Sequence, residues 1–187
     1  MLQGGYFQIG RWRGVPLRIH LLTPLGALFF TGFRFEPGAW VGFLLLVLLH
    51  EMGHALLVMR YRLRVSSIDL HAYGGVCRWS GQASEWERTV IAWGGVIAQA
   101  AVLAVTMGTI AVVGLPRTMF ARELVEVFTR TNLWLMLINL APFPPLDGAE
   151  AWKIVGELRR RWSSPELSPE DARRIAKAFE DAVRKRP

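Results

Sequence analysis

Residues 39–59 read AWVGFLLLVLLHEMGHALLVM, an apolar run whose only strongly polar side chains are His50, Glu51 and His54. Its length suits a membrane crossing, since about 20 apolar residues in a helix cover a hydrocarbon core ~30 Å thick. Ionisable groups at that depth are costly and mark function. Residues four apart share one face of a helix, so His50 and His54 can grip one metal ion. Glu51, beside them, can accept a proton from an attacking water. The stretch predicts a membrane helix that carries a zinc-protease site.

Such a site needs a third protein ligand. The extended pattern with a third histidine fails, because Leu57 and Arg60 stand where its glycine and histidine would be. Glu85 and Glu87 lie in polar, loop-like sequence before the next apolar segment, which makes them poor ligands. Residues 139–148, NLAPFPPLDG, are a better source. Pro142, Pro144 and Pro145 cannot continue a helix, so they end the preceding apolar segment in irregular backbone. Irregular backbone at membrane depth is tolerated only where protein buries it or it borders a wet cavity. Asp147 follows that break. Taken alone it reads as the N-cap of the next helix; beside the HEMGH helix it reads as the third ligand.

HEMGH in one helix, followed in a later one by N-x-x-P-x-P-P-x-D-G, resembles the site-2 protease family of intramembrane zinc metalloproteases. The compact form without a PDZ domain is most similar to the sporulation-factor and archaeal branch. Matching motifs run from about Val15 to Gly148. The resemblance implies that His50, His54 and Asp147 bind one zinc ion per chain and that Glu51 is the general base. It also implies that Asn139 acts in catalysis by holding the substrate or the developing oxyanion. Residues 93–99, WGGVIAQ, depart from the pattern. Many members carry a Gly-Pro and an asparagine there, so no role for that helix is carried over.

At 187 residues and 52% hydrophobic content, with the apolar residues in long blocks, the chain suits one integral membrane core over 1–148 and a basic helical tail over 149–187. The net charge of +7 sits beside apolar blocks, which fits positive-inside sorting and argues against a nucleic-acid partner. The lone Cys77 excludes an intramolecular disulfide and a CxxC metal site. Residues 1–18 lack the apolar core of a cleavable signal peptide.

Four apolar segments, 19–33, 39–59, 89–114 and 125–140, predict an all-α polytopic membrane protein with about four transmembrane helices. Small membrane-associated β-hairpins are expected around 7–19 and 64–81, with a cytoplasmic helical tail. Four crossings would make the second and fourth helices run the same way and set His54 and Asp147 at similar depth. Of the lysines and arginines, only Arg34, Arg117, Arg122 and Arg130 then fall on the far side. The positive-inside rule therefore places both termini, and the open end of the site, in the cytoplasm. Trp12, Trp40, Trp79, Trp86 and Trp93 read as an aromatic belt. Gly94, Gly95, Ala98, Ala101 and Ala104 read as a close helix-packing face. His20 and His71 are weaker candidates for polarising a carbonyl. A further tail helix is expected from Ser168, with Ile175, Phe179 and Val183 on one side.

The function expected is zinc endopeptidase action on a membrane-protein substrate, such as a membrane-tethered regulator or anti-sigma factor, within the lipid bilayer. A hairpin edge could pair with the unwound substrate; the alternative is that the hairpins only pack the cytoplasmic face. A catalytically silent scaffold or chaperone has no need of His50, Glu51, His54 and Asp147 together. A metal transporter would want a second metal cluster along the spans.

Overall fold

The HEMGH run lies in a 24-residue helix, α2 (Pro37–Arg60). Pro37 opens it, where a missing N–H costs nothing, and the Glu123 carboxylate accepts from the Gly38 N–H at 2.7 Å. A second long helix, α3 (Glu85–Val113), starts at a capping box in which Ser84 and Glu87 satisfy each other's backbone N–H groups. Among the described residues, these two helices are long and apolar enough to cross a membrane. They touch at two glycines. A Cβ on Gly53 would stand 2.2 Å from the Gly94 carbonyl oxygen, and one on Gly94 2.7 Å from that of Gly53. Most of α3 beyond this contact is exposed and apolar, Val105 and Val112 included, a surface that lipid can cover.

The structure is a computed structural model and describes residues 4–163 and Lys177. The chain divides into two units, Met1–Ile154 and Val155–Pro187. The expected helix from Ser168 falls outside the described residues, apart from Lys177.

In the first unit a four-stranded sheet in the order β1-β2-β3-β4 lies against α2. Its strands are β1 (Tyr6–Trp12), β2 (Val15–His20), β3 (Arg64–His71) and β4 (Gly74–Ser80). β1 with β2 and β3 with β4 are antiparallel hairpins, and a parallel β2–β3 pairing joins them. The inner face packs Val15 and Ile68 on Ala55, with Met52 and Cys77 beside them. On the outer face Asp69 is fully buried beneath two arginines from neighbouring strands. Arg18 reaches it through Nε and an amino group at 2.7 Å each, and Arg78 through Nε at 2.8 Å.

The all-α fold with four spans is corrected by this architecture. Val15, Leu17 and Ile19 pack into the core as part of β2, so the first apolar segment loses its beginning to a strand. What remains is α1 (Thr23–Phe30), eight residues long, about 12 Å at 1.5 Å per residue. Gly32 and Phe33, at φ near +63°, turn the chain after it. The fourth segment is helical from Met119 to Asn139, through α4 (Met119–Glu126), a π turn (Val127–Thr131) and α5 (Asn132–Asn139), but it is not apolar throughout. Arg122, Glu123, Glu126 and Arg130 punctuate its first half. The inference of equal depth from four crossings therefore has no basis. His54 and Asp147 meet for a different reason, the folding-back of residues 140–151.

That return passes through a cis Pro144–Pro145 bond to a short helix, α6 (Gly148–Ala151). A last described helix, α7, spans Lys153–Ser163.

Candidate metal centre

Three side chains converge where α2 faces the start of α6. His50 Nε2 and His54 Nε2 are 3.1 Å apart, and Asp147 Oδ2 is 3.0 Å from the first and 3.3 Å from the second. Each histidine is held from behind through its other nitrogen. His54 Nδ1 lies 2.7 Å from the Ile91 carbonyl oxygen and His50 Nδ1 3.0 Å from Gln99 Oε1. A carbonyl oxygen only accepts, so both Nδ1 atoms carry the proton and both Nε2 atoms present lone pairs. Two such lone pairs and a carboxylate oxygen crowded within 3.3 Å are a set of acceptors that a cation satisfies. The residues present fit a zinc ion.

Asp147 occupies the N-cap position of α6, but its side chain makes no capping hydrogen bond. Its Oδ2 is turned to the two histidines instead, so the cap reading gives way. The backbone that delivers it is fixed at several points. Trp93 on α3 donates through Nε1 to the Ala151 carbonyl at 3.0 Å, and Trp152 donates to that of Leu140 at 2.6 Å. A Cβ on Gly148 would fall 2.4 Å from the Leu140 and Ala141 carbonyl oxygens. Trp93, expected in an aromatic belt, thus also anchors the segment carrying Asp147.

Glu51 is buried, and the backbone of β4 lies directly against it. A Cβ on Gly75 would come within 2.4 Å of Glu51 Cγ. A cavity of about 530 Å³ opens over His50, Glu51, His54 and Asp147, and Asn139 and Tyr73 also line it. β4 is the outer strand of the sheet and borders this cavity from Gly74 to Cys77. Burial, then the nearby Glu51 and Asp69 carboxylates, push the Cys77 thiol up to about 12. His71 lines the cavity as well. His20 stacks edge-on against Tyr6 and accepts from the Leu22 N–H. Glu87 is engaged at the α3 cap, away from the cluster.

Two features here escaped the sequence reading. The small face of α3 does pack helices through Gly94, but Gly95 makes room for the His50 ring. A Cβ there would lie 2.2 Å from His50 Cε1. Gln99, one turn later, meets the same ring. The available signals were the polar side chain at 99 within an apolar helix and the departure of residues 93–99 from the family pattern.

A family model described as peptidase family M50 matches residues 38–126. The Synechocystis sp. protein sll0528, named a zinc metalloprotease, is 30% identical over 118 residues, 59% of this chain and 30% of that protein. Stage IV sporulation protein FB of Bacillus subtilis is 27% identical over 148 residues, 76% of this chain and 49% of that one. The chain thus spans half or less of the length of these curated relatives. The site-2 protease from Methanocaldococcus jannaschii shares the fold, with a TM-score of 0.59 and 20% identity over 80% of this chain and 71% of that one. Residues 38–126, from α2 through α3 to α4, thus resemble peptidase family M50, and the chain shares its fold with a site-2 protease.

Proposed function

We propose that this protein is an intramembrane zinc endopeptidase that hydrolyses peptide bonds in or near the transmembrane segments of other membrane proteins. The observation that carries this reading is the cluster of His50, His54 and Asp147 beside the buried Glu51, in a cavity lined by residues 43–54 of an apolar helix. When bound, zinc polarises the scissile carbonyl and lowers the pKa of an attacking water towards ~7. His50, His54 and Asp147 are the ligands. Glu51 takes the proton of the attacking water and hands it to the leaving amine. Asn139, at the last turn of α5 and on the cavity wall, donates from its side-chain amide to the substrate backbone.

A helical substrate must unwind first, because its own hydrogen bonds shield each peptide carbonyl. The outer edge of β4, which no strand pairs among the described residues, lies beside Glu51 and supports capture of the extended segment by strand addition. The substrate would be a membrane-tethered regulator or anti-sigma factor. Arg60, Arg62, Arg64 and Arg88 gather at the end of α2 and α3 that carries the cavity. That charge supports an integral membrane protein whose site opens to the cytoplasm.

Single-span substrates co-reconstituted in bilayers with wild type, Glu51→Gln and Asp147→Ala test the reading, with zinc content measured on each. Wild type should cleave. Glu51→Gln should lose about 10²- to 10⁴-fold in rate while keeping zinc, and Asp147→Ala should lose zinc. A wild-type protein without zinc, or a Glu51→Gln variant as fast as wild type, overturns it.

A further inference from the structure

We infer that Gln99 is the positioning residue that fixes His50 as a metal ligand, an inference that rests on the zinc-site reading above. Its side chain comes from α3 and is 1% exposed. Gln99 Oε1 lies 3.0 Å from His50 Nδ1. An imidazole with its proton on Nδ1 can offer a lone pair only at Nε2, the atom aimed at His54 and Asp147. Without an acceptor behind it, the ring is free to carry its proton on Nε2 and donate to Asp147, which leaves no lone pair for a metal.

Local geometry gives Gln99 little else to do. Gly95 and Gln99 are four residues apart and so share one face of α3. The glycine lets the His50 ring come close, and the amide one turn later takes its nitrogen. The tie between α3 and α5 at this level uses the Gln99 backbone instead, whose carbonyl accepts from Asn132 Nδ2 at 2.8 Å. Changing the side chain leaves that tie in place. His54 has a backbone carbonyl as its corresponding partner, so His50 is the ligand whose orientation a single side chain sets.

The test is zinc affinity of the purified full chain, measured by competition with a chromophoric chelator, for wild type, Gln99→Met and Gln99→Glu. Methionine keeps the volume and removes the acceptor; glutamate keeps an acceptor, as in carboxylate–histidine–zinc arrangements. Gln99→Met should bind zinc about 10- to 100-fold more weakly, and Gln99→Glu should bind more tightly than Gln99→Met. A packing role predicts the reverse order, since a carboxylate without a role is costly in this buried position. Nitrogen NMR of zinc-loaded wild type gives a check independent of variant folding, with the His50 proton expected on Nδ1. Gln99→Met binding as tightly as wild type, glutamate ranking below methionine, or a His50 proton on Nε2 overturns this inference alone. Absence of zinc binding in wild type overturns the protease reading and this inference with it.

Discussion

Gly95 shows how much of this site hangs on a single absent atom. Because a Cβ at 95 would stand 2.2 Å from the His50 ring, Gly95→Ala should push the ring or the helix aside. Overpacking of this kind costs about 1–3 kcal/mol, and here the strain falls on a ligand. The expected outcome is reduced zinc content by elemental analysis and a lowered melting temperature. Gly108→Ala on the same helix is the control: nothing lies within 4 Å of a Cβ there, so zinc content should hold and the melting temperature stay or rise. The candidate ligands His50, His54 and Asp147 could be singled out because metal chemistry restricts residue type and spacing. Gly95 and Gln99 could not be, because glycine and glutamine serve many ends and only their distance to His50 assigns them one.

At the scale of elements, the sheet is locked by charge on its outer face. Asp69 pairs in register with Arg18 across the parallel β2–β3 ladder, and Arg78 reaches it from β4. Burial alone would raise the Asp69 carboxyl, but its hydrogen bonds to Arg18 and Arg78 outweigh that and hold it below the ordinary carboxylate range. A carboxyl with a depressed folded pKa gives its stability above the unfolded value and loses it as pH falls through the folded one. Asp69→Asn should therefore lower stability by about 2 kcal/mol at pH 7, measured by thermal melting. The gap to wild type should narrow below about pH 4. The two arginines are partly exposed and can rehydrate, so a larger loss would mean that β4 detaches altogether. Both hairpins could be read from their alternation and turns. Their union into one sheet could not, since a parallel pairing between distant strands leaves no local signature.

At the scale of the molecule, the proposed reading of α2 and α3 as membrane helices puts the Arg60 end and the Leu115 end on opposite sides of the bilayer. Cys77 serves as a quiet background, because a thiol pushed up to about 12 is protonated near neutral pH and slow to react with maleimides. Single cysteines then report topology. Arg60→Cys, at the cavity end of α2, should resist a membrane-impermeant maleimide in intact cells and react once the membrane is opened. Leu115→Cys, exposed beyond the far end of α3, should react from outside. The opposite pattern would invert the proposed orientation.

Two apolar helices and the histidine pair with its glutamate were determined by the sequence itself, because hydrophobic length and helical spacing are local properties. So were the proline break and the aspartate after it. The sequence overstated the number of spans. An apolar run can serve a strand or a short buried helix as readily as a crossing, and which it becomes depends on partners elsewhere in the chain. Only the tertiary structure decided that the two hairpins join into one sheet, that the return through 140–151 brings Asp147 to the histidines, and that α3 supplies Gly95 and Gln99 behind His50. Each of those outcomes rests on contacts between residues far apart in sequence, where close packing and hydrogen bonding select one arrangement among many that the local pattern allows.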